Sequence, residues 1–212
     1  MKVNVLVMAG GKGERLKNLG EKPLLPLHGK PMIQYVIEAL RETENVNRII
    51  VVTSKYTCKT AETVKRFQVE VLEAPGLGYI ADVQYAIRRL GLKGPVMVVS
   101  ADLPLLNSTL LSRIIDSFKR CVKPALSVMV PLQLCERLGL SPDLILKVED
   151  GLVPTGINIL KGEMIDAEEI DEERVVLNME EAAVNVNTVA DLKVAEKLLS
   201  LRSNSSKRIH DI

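Results

Sequence analysis

Three glycines and two cations follow the first apolar run of the sequence, at spacings suited to binding an anion. The glycines are Gly10, Gly11 and Gly13, and the cations are Arg15 and Lys22. A glycine-rich turn after a strand lets several backbone N–H groups point at one anion, because no Cβ blocks their approach. The guanidinium and ammonium groups add positive charge beside the turn. The pattern favours a phosphate-binding loop over its alternative, a flexible surface turn.

Two well-known nucleotide-binding loops do not fit this segment. A dinucleotide-binding GxGxxG motif that started at Gly11 would need glycine at the position that Leu16 holds. The second apolar run ends in Thr53 and Ser54, without the acidic residue that binds a ribose. The sequence also lacks the GxxxxGK motif followed by Ser or Thr that forms a P-loop. The loop therefore belongs to another kind of phosphate site.

A carboxylate stands directly after another apolar run. Asp102 lies in the segment SADLP, after the run Val96–Ser100. Open α/β sheets bind ligands outside the carboxyl ends of their strands, so this residue is well placed to meet a ligand. Mg²⁺ needs only one or two protein carboxylates when substrate phosphates supply further ligands. A turn or a helix cap is the alternative role for Asp102.

The glycine-rich segment resembles the signature of the sugar-phosphate and cofactor nucleotidyltransferases over its whole length. That signature is AGGxGxR followed by KPL and GxP, which occur here at residues 9–15, 22–24 and 29–31. The resemblance implies an enzyme whose loop wraps the phosphates of a nucleoside triphosphate, with Arg15 and Lys22 neutralising charge as pyrophosphate leaves. The nucleotide-binding positions that it implies are Met8, Ala9, Gly10, Gly11, Gly13, Ser54, Gly76, Gly78, Asp82 and Gly156.

The same resemblance extends to the metal and to the second substrate. In these enzymes an Asp at the place of Asp102 holds Mg²⁺ against the triphosphate, so Mg²⁺ is the expected cofactor. Asn185 and Asn187 lie two residues apart in the element NVNTxxDL and share one side of a short strand. The resemblance implies that these asparagines reach the metal and the acceptor phosphate, and that Asn158 also binds the acceptor. From the residues alone, the asparagine pair could also form a turn.

Three further segments resemble one branch of this family, the archaeal adenosylcobinamide-phosphate guanylyltransferases. They are GxGYIxD at residues 76–82, GLVPTGIN at 151–158 and NVNTxxDLKxAExLL at 185–199. The resemblance implies transfer of GMP from GTP to adenosylcobinamide phosphate, giving adenosylcobinamide-GDP and pyrophosphate in coenzyme B12 biosynthesis.

Other functions stay open from the sequence. A molybdenum-cofactor guanylyltransferase is the alternative, although that branch would show GPLAG where this chain has GLGYIAD. Another NTP-dependent nucleotidyltransferase would carry the same first signature. A GTP-binding module without activity would keep the glycines and could lose Arg15, Lys22 or Asp102. All three residues are present, which favours an enzyme.

The elements that must position these residues alternate along the first half of the chain. Apolar runs typical of buried parallel strands lie at Val3–Met8, Arg48–Thr53 and Val96–Ser100. Segments with helical spacing lie at Pro31–Leu40, Thr60–Phe67, Ile80–Leu90 and Thr109–Cys121. This alternation predicts an α/β fold with a doubly wound, mostly parallel sheet, and the resemblance implies the Rossmann-like, three-layer α/β/α arrangement of the nucleotidyltransferases.

The second half of the chain is predicted to be richer in strands. Shorter apolar runs lie at Leu126–Val130, Leu144–Val148 and Gly156–Leu160. The acidic stretch Asp166–Arg174 is interpreted as a solvated helix face or loop, and a last helix is predicted at Val189–Leu201. We expect one nucleotidyltransferase domain over residues 1–202 and a polar, flexible tail over residues 203–212.

Composition excludes several classes of protein. Hydrophobic residues make up 47% of the chain and charged residues 26%, which is typical of a globular domain. The net charge of +1 and the 3% aromatic content argue against a nucleic-acid partner. The 3 cysteines without a CxxC pair favour a reducing, cytoplasmic location. No apolar stretch reaches the ~18–20 residues of a membrane span. A homodimer is compatible with the sequence, and so is a monomer.

Overall fold

The computed structural model describes residues 1–142 and 151–210, and it describes side chains up to residue 202. The strands are β1 (Val3–Met8), β2 (Pro26–Leu27), β3 (Lys30–Pro31), β4 (Val46–Ser54), β5 (Glu70–Ala74), β6 (Pro95–Ser100), β7 (Ala125–Pro131), β8 (Leu152–Lys161) and β9 (Glu172–Val176). The α-helices are α1 (Met32–Arg41), α2 (Cys58–Lys65), α3 (Tyr79–Leu90), α4 (Ser108–Arg120), α5 (Leu132–Leu138), α6 (Glu180–Ala183) and α7 (Val189–His210).

The main sheet has seven strands in the order β5-β4-β1-β6-β8-β7-β9, and β2 pairs with β3 in a separate hairpin. The pairs β1–β4, β1–β6, β4–β5 and β7–β9 are parallel. Strand β8 runs antiparallel to both of its neighbours. The predicted doubly wound, mostly parallel sheet is confirmed. Because the chain crosses from β1 to β4 on one side and reaches β6 on the other, the carboxyl ends of β1 and β6 flank a topological switch point.

Two apolar clusters cover the two faces of this sheet. On one face, Val7 of β1 and Val99 of β6 pack in a cluster with side chains of α1 and α4. On the other face, Leu6 and Val98 pack with side chains of α3. Neighbouring residues of one strand serve opposite faces because side chains alternate along a strand. The three-layer arrangement is confirmed.

The C-terminal half differs from the sequence-based expectations in two places, the acidic stretch and the last helix. The acidic stretch was interpreted as a helix face or loop, but Glu172–Val176 forms β9 at the edge of the sheet. That interpretation is wrong for residues 172–174, and the charges suit an edge strand because they discourage pairing with other chains. The run Leu144–Val148 lies outside the described residues.

The last helix continues to His210 rather than ending at Leu201. Residues 203–210, which the sequence assigned to a flexible tail, are therefore helical in their backbone. The sequence supplies no Gly or Pro after Val189 that would end the helix earlier. The domain boundary at residue 202 stays a prediction. In the part of the chain that the structure describes, no helix is long and apolar enough to cross a membrane.

Candidate active site

A cavity of about 560 Å³ lies at the carboxyl ends of β1 and β6, at the switch point of the sheet. Its walls come from the glycine-rich loop after β1, from the turn after β6 and from the segment before α7. The predicted site residues that line it are Met8, Ala9, Gly11, Gly13, Arg15, Lys22, Asp102 and Asn187. The structure thus brings the predicted triphosphate loop and the predicted metal ligand to one cavity.

The glycines of this loop serve different purposes. A Cβ on Gly11 would point into open space, whereas a Cβ on Gly10 would lie 3.2 Å from the Cβ of Ser54. Ser54 Oγ also donates a hydrogen bond to the Gly10 carbonyl at 2.7 Å, which ties the loop to the end of β4. Gly13 has a φ of +57°, a left-handed conformation that glycine adopts without strain. Gly10 therefore positions the loop, while Gly11 leaves room for a ligand.

An ion pair joins two of the predicted catalytic residues. Lys22 Nζ donates to Asp102 Oδ2 at 2.5 Å and to Asn187 Oδ1 at 2.8 Å. The side chains of Lys22 and Asp102 are each 17% exposed. The backbone N–H of Val186 donates to the Asp102 carbonyl at 3.0 Å, which holds the asparagine segment beside the turn after β6. Asp102 is 80 residues away from Lys22 in the sequence, so helical spacing could not indicate this ion pair.

Two buried oxygens beside this ion pair have no hydrogen-bond partner among the described residues. They are Asp102 Oδ1 and Asn185 Oδ1. A buried polar atom without a partner costs about 1–3 kcal/mol, which a bound cation or ligand would offset. The described part of the chain holds no cluster of three or more His, Cys, Asp or Glu placed for a metal. The two oxygens of Asp102 and Asn185 fit Mg²⁺, because Mg²⁺ commonly combines one or two carboxylates with water and substrate phosphates.

A second cavity of about 1050 Å³ adjoins the first, and Asp102 and Asn187 line both. It is bounded by the start of α3 and by β7, β8 and β9. The other predicted site residues on its walls are Gly78, Gly156, Asn158 and Asn185. Two ligands, one in each cavity, would therefore meet at Asp102 and Asn187.

Tyr79 faces this second cavity and was not singled out from the sequence, although it lies inside the segment GLGYIAD. Asn158 Nδ2 donates to the Tyr79 hydroxyl at 3.4 Å. Desolvation of the hydroxyl raises the pKa of Tyr79 to about 12; the hydrogen bond from Asn158 opposes this shift, and the negative charge of Asp102 adds to it. Part of the ring remains open, since the residue is 46% exposed. At neutral pH the hydroxyl is therefore protonated and can donate a hydrogen bond to a ligand oxygen.

Gly156 sits at an irregularity of the β7–β8 pairing. The register of the two strands shifts between Ser127 and Met129, opposite the segment that contains Gly156. Gly156 has a φ of +81°, and a Cβ there would lie only 2.6 Å from Ser100 Oγ. Glycine in such a bulge lets the backbone of β8 lie against the Ser100 side chain. The bulge brings β8 against the end of β6, directly before the turn that carries Asp102.

Four predicted nucleotide-binding residues, Gly10, Ser54, Gly76 and Asp82, line neither cavity. Asp82 is 6% exposed, and its Oδ1 accepts hydrogen bonds from the backbone N–H groups of Gly76 at 3.0 Å and Leu77 at 3.3 Å. It therefore holds the glycine-rich turn before α3 in place. Direct nucleotide contacts for these four residues stay predictions.

Two further residues of the second cavity, Ser127 of β7 and Glu172 of β9, carried no recognisable signal in the sequence. Ser127 stands in an ordinary apolar run, and Glu172 stands in the acidic stretch that was interpreted as solvated. Only the order of the strands brings them to this cavity.

Comparisons with known proteins agree with this architecture. Residues 5–146 match the family described as MobA-like NTP transferase domain. The adenosylcobinamide-phosphate guanylyltransferase of Methanocaldococcus jannaschii is 34% identical over 208 residues, which cover 93% of this chain and 97% of that protein. The probable molybdenum cofactor guanylyltransferase of Thermococcus kodakarensis is 32% identical over 120 residues, which cover 56% of this chain and 55% of that protein.

A solved structure shows the same fold. The CMP:2-keto-3-deoxy-manno-octonic acid synthetase complexed with CTP superposes with a TM-score of 0.68 and 14% identity, over 95% of this chain and 98% of that chain. At this identity the likeness shows the fold alone. The family match spans the glycine-rich loop, Lys22 and Asp102, and the similarity to the Methanocaldococcus protein extends over almost the whole of that protein. The chain belongs to the MobA-like NTP transferase family and is a nucleotidyltransferase.

Proposed function

We propose that this protein is a guanylyltransferase that transfers GMP from GTP to adenosylcobinamide phosphate, giving adenosylcobinamide-GDP and pyrophosphate in coenzyme B12 biosynthesis. The observation that carries the proposal is the meeting of two cavities at Asp102 and Asn187, one beside the glycine-rich loop and a larger one beyond it. A transferase needs both substrates to meet in this way. The choice of acceptor is supported by the similarity to the Methanocaldococcus protein, which includes the second half of the chain, where β8 and β9 build the larger cavity.

The reaction under this proposal is a direct displacement. An oxygen of the acceptor phosphate forms a bond to the α-phosphorus of GTP, and the bond from that phosphorus to pyrophosphate breaks. Such a transfer depends mainly on positioning and on stabilising charge, and it needs no covalent enzyme intermediate. The glycine-rich loop would hold the triphosphate through backbone N–H groups, with the Gly11 position left open for it.

The cations and the carboxylate then have distinct roles. Arg15 and Lys22 line the first cavity, where they would neutralise charge as pyrophosphate leaves. Asp102 would hold Mg²⁺ through the oxygen that lacks a protein partner, and Mg²⁺ when bound offsets the charge of the triphosphate. Lys22 keeps Asp102 in place through their ion pair, so its ammonium group stands where the two cavities meet.

The acceptor phosphate would bind in the second cavity, into which GTP would also reach, because the predicted nucleotide-binding positions Gly78 and Gly156 line it. Asn158, Asn185 and Asn187 line its walls, and Tyr79 offers a protonated hydroxyl beside Asn158. These side chains carry no charge. They can therefore bind a phosphate and lower the nucleophilicity of its oxygen less than a direct contact with a cation would. The arrangement supports in-line attack from the second cavity toward the first.

Pyrophosphate release tests this proposal. The protein is incubated with GTP, Mg²⁺ and adenosylcobinamide phosphate, and pyrophosphate is measured with time. We expect release that depends on both substrates and is slower when ATP or CTP replaces GTP. Calorimetric binding of GTP without release of pyrophosphate would instead support a GTP-binding module. Release of pyrophosphate with molybdenum cofactor as the acceptor, and none with adenosylcobinamide phosphate, would favour a molybdenum-cofactor guanylyltransferase. The similarity to the Thermococcus protein supports this alternative. A cytoplasmic location and a homodimer stay predictions.

A further inference from the structure

A polar row crosses the second cavity, and two of its three members, Ser127 and Glu172, have no part in the phosphoryl transfer described above. It consists of Asn158 on β8, Ser127 on β7 and Glu172 on β9. Asn158 and Ser127 are directly opposite each other in the β7–β8 register, so their side chains share one face of the sheet. Ser127 Oγ donates a hydrogen bond to Glu172 Oε2. Three strands therefore present one continuous polar surface to whatever fills the cavity.

Glu172, at the end of this row, can accept more hydrogen bonds than it receives from the protein. Its Oε1 accepts from Arg174 Nε at 3.4 Å, and its side chain is 38% exposed. An ionised carboxylate can accept about four hydrogen bonds, so the contacts with Ser127 and Arg174 do not exhaust it. Glu172 lines the cavity and Arg174 does not, so the carboxylate is the group that the cavity contents meet.

The walls around this polar row are apolar. Leu77 and Ile80 at the start of α3 are 78% and 72% exposed, and Met129 and Val153 lie on the sheet side of the same cavity. Apolar walls over a row of hydrogen-bonding groups fit a large ligand with an apolar body and polar groups at its edge. Beside a carboxylate those edge groups must donate, as carboxamide N–H groups do, because a second carboxylate would be repelled.

We infer that Glu172, positioned by Ser127, selects acceptors that carry carboxamide groups and rejects acceptors that carry carboxylates at the same places. The inference rests on the proposed function, because it concerns the acceptor of that reaction. Glu172 does not line the cavity beside the glycine-rich loop, so it has no contact with a triphosphate bound there, and we expect it to act on the acceptor. A residue of this kind changes the KM of the acceptor more than the turnover of the bound complex.

The test compares two acceptors with three proteins. The acceptors are adenosylcobinamide phosphate and the same compound after partial hydrolysis of its carboxamides to carboxylates. The proteins are the parent, Glu172→Gln and Glu173→Gln. Glu173 is the matched control because it is the next residue on β9, and its Oε2 contacts Cys121 Sγ at 3.2 Å rather than the cavity. Urea unfolding and GTP calorimetry on each protein verify that fold and nucleotide binding are intact.

We expect the parent and Glu173→Gln to prefer the carboxamide acceptor by about tenfold or more in kcat/KM, a factor that corresponds to about 1.4 kcal/mol. Glu172→Gln should lose most of this preference through the KM values, with kcat and GTP affinity unchanged. Equal use of the two acceptors by the parent, or an unchanged preference in Glu172→Gln, would overturn the inference while leaving the proposed function standing. If the parent binds GTP but releases no pyrophosphate with either acceptor, the proposed function fails and the inference fails with it.

Discussion

Replacement of Gly156 by Ala tests whether the close approach of β8 to β6 builds the site. Gly156 has a φ of +81°, and a Cβ there would lie 2.6 Å from Ser100 Oγ and 3.1 Å from Ser100 Cβ. Contacts this short force a neighbouring atom to move. The Ser100 Oγ can rotate away, but its Cβ would have to give by a few tenths of an ångström; because Ser100 ends β6 just before the turn with Asp102, this shift bears on the proposed metal ligand.

The size of the effect follows from a comparison with Gly139. Gly139 has a similar φ of +72°, but a Cβ there would meet nothing within 4 Å. Gly139→Ala should therefore show only the strain of a left-handed alanine, about 1–2 kcal/mol. Gly156→Ala also carries the strain of a positive φ, for which we take a cost of similar size, and in addition the overlap with Ser100, for which overpacked sites suggest about 1–3 kcal/mol. Its free energy of unfolding should fall by about 2–5 kcal/mol in total.

Urea unfolding followed by circular dichroism measures both variants, and pyrophosphate release measures their turnover. Gly156→Ala should lose turnover even at temperatures where it is folded, whereas Gly139→Ala should keep it. Adding Ser100→Ala removes the nearest colliding atom and should recover part of the stability, as a double-mutant cycle would show. The reasoning is refuted if Gly156→Ala is no less stable than Gly139→Ala, because the collision would then be absent.

The remaining predictions concern the first cavity. Asp102→Ala should lower turnover by a factor of order 10² or more, since it removes an electrostatic stabiliser; near-normal pyrophosphate release would reject the metal assignment. Gly11→Asp should abolish GTP binding in calorimetry while the unfolding curve stays close to that of the parent, because its side chain would enter the open space of the loop; GTP affinity equal to that of the parent would contradict the phosphate-loop assignment. Lys22→Ala and Arg15→Ala should each lower kcat more than they weaken GTP binding, because interactions strengthened in the transition state affect the rate. Lys22→Arg should rescue only in part, since the two cations differ in shape and hydration; a defect confined to the KM of the acceptor would place Lys22 on the acceptor side.

The sequence by itself determined strands β1, β4 and β6, the helices of the first half and the glycine-rich loop, but it did not indicate β5 or the short β2–β3 hairpin. Apolar runs such as Val96–Ser100 report burial on both faces of a sheet, and helical spacing such as that of Ile80–Leu90 reports one buried face. The loop could be predicted because its glycines and cations are contiguous and its backbone requirements are local, as at Gly13. The position of Asp102 at a strand end followed from the same local pattern.

The tertiary structure alone decided which distant groups meet. Lys22 contacts Asn187 across 165 residues of sequence, and no spacing rule could indicate this contact. Ser127 and Glu172 meet because β9 pairs with β7 at the sheet edge, although the acidic composition of β9 resembled a solvated loop. Local patterns report the preferred conformation of the backbone and the burial of a side chain. Which side chains line a cavity depends instead on the order of the strands. Strand order is set by the packing of the whole chain, so it could not be read from any one segment.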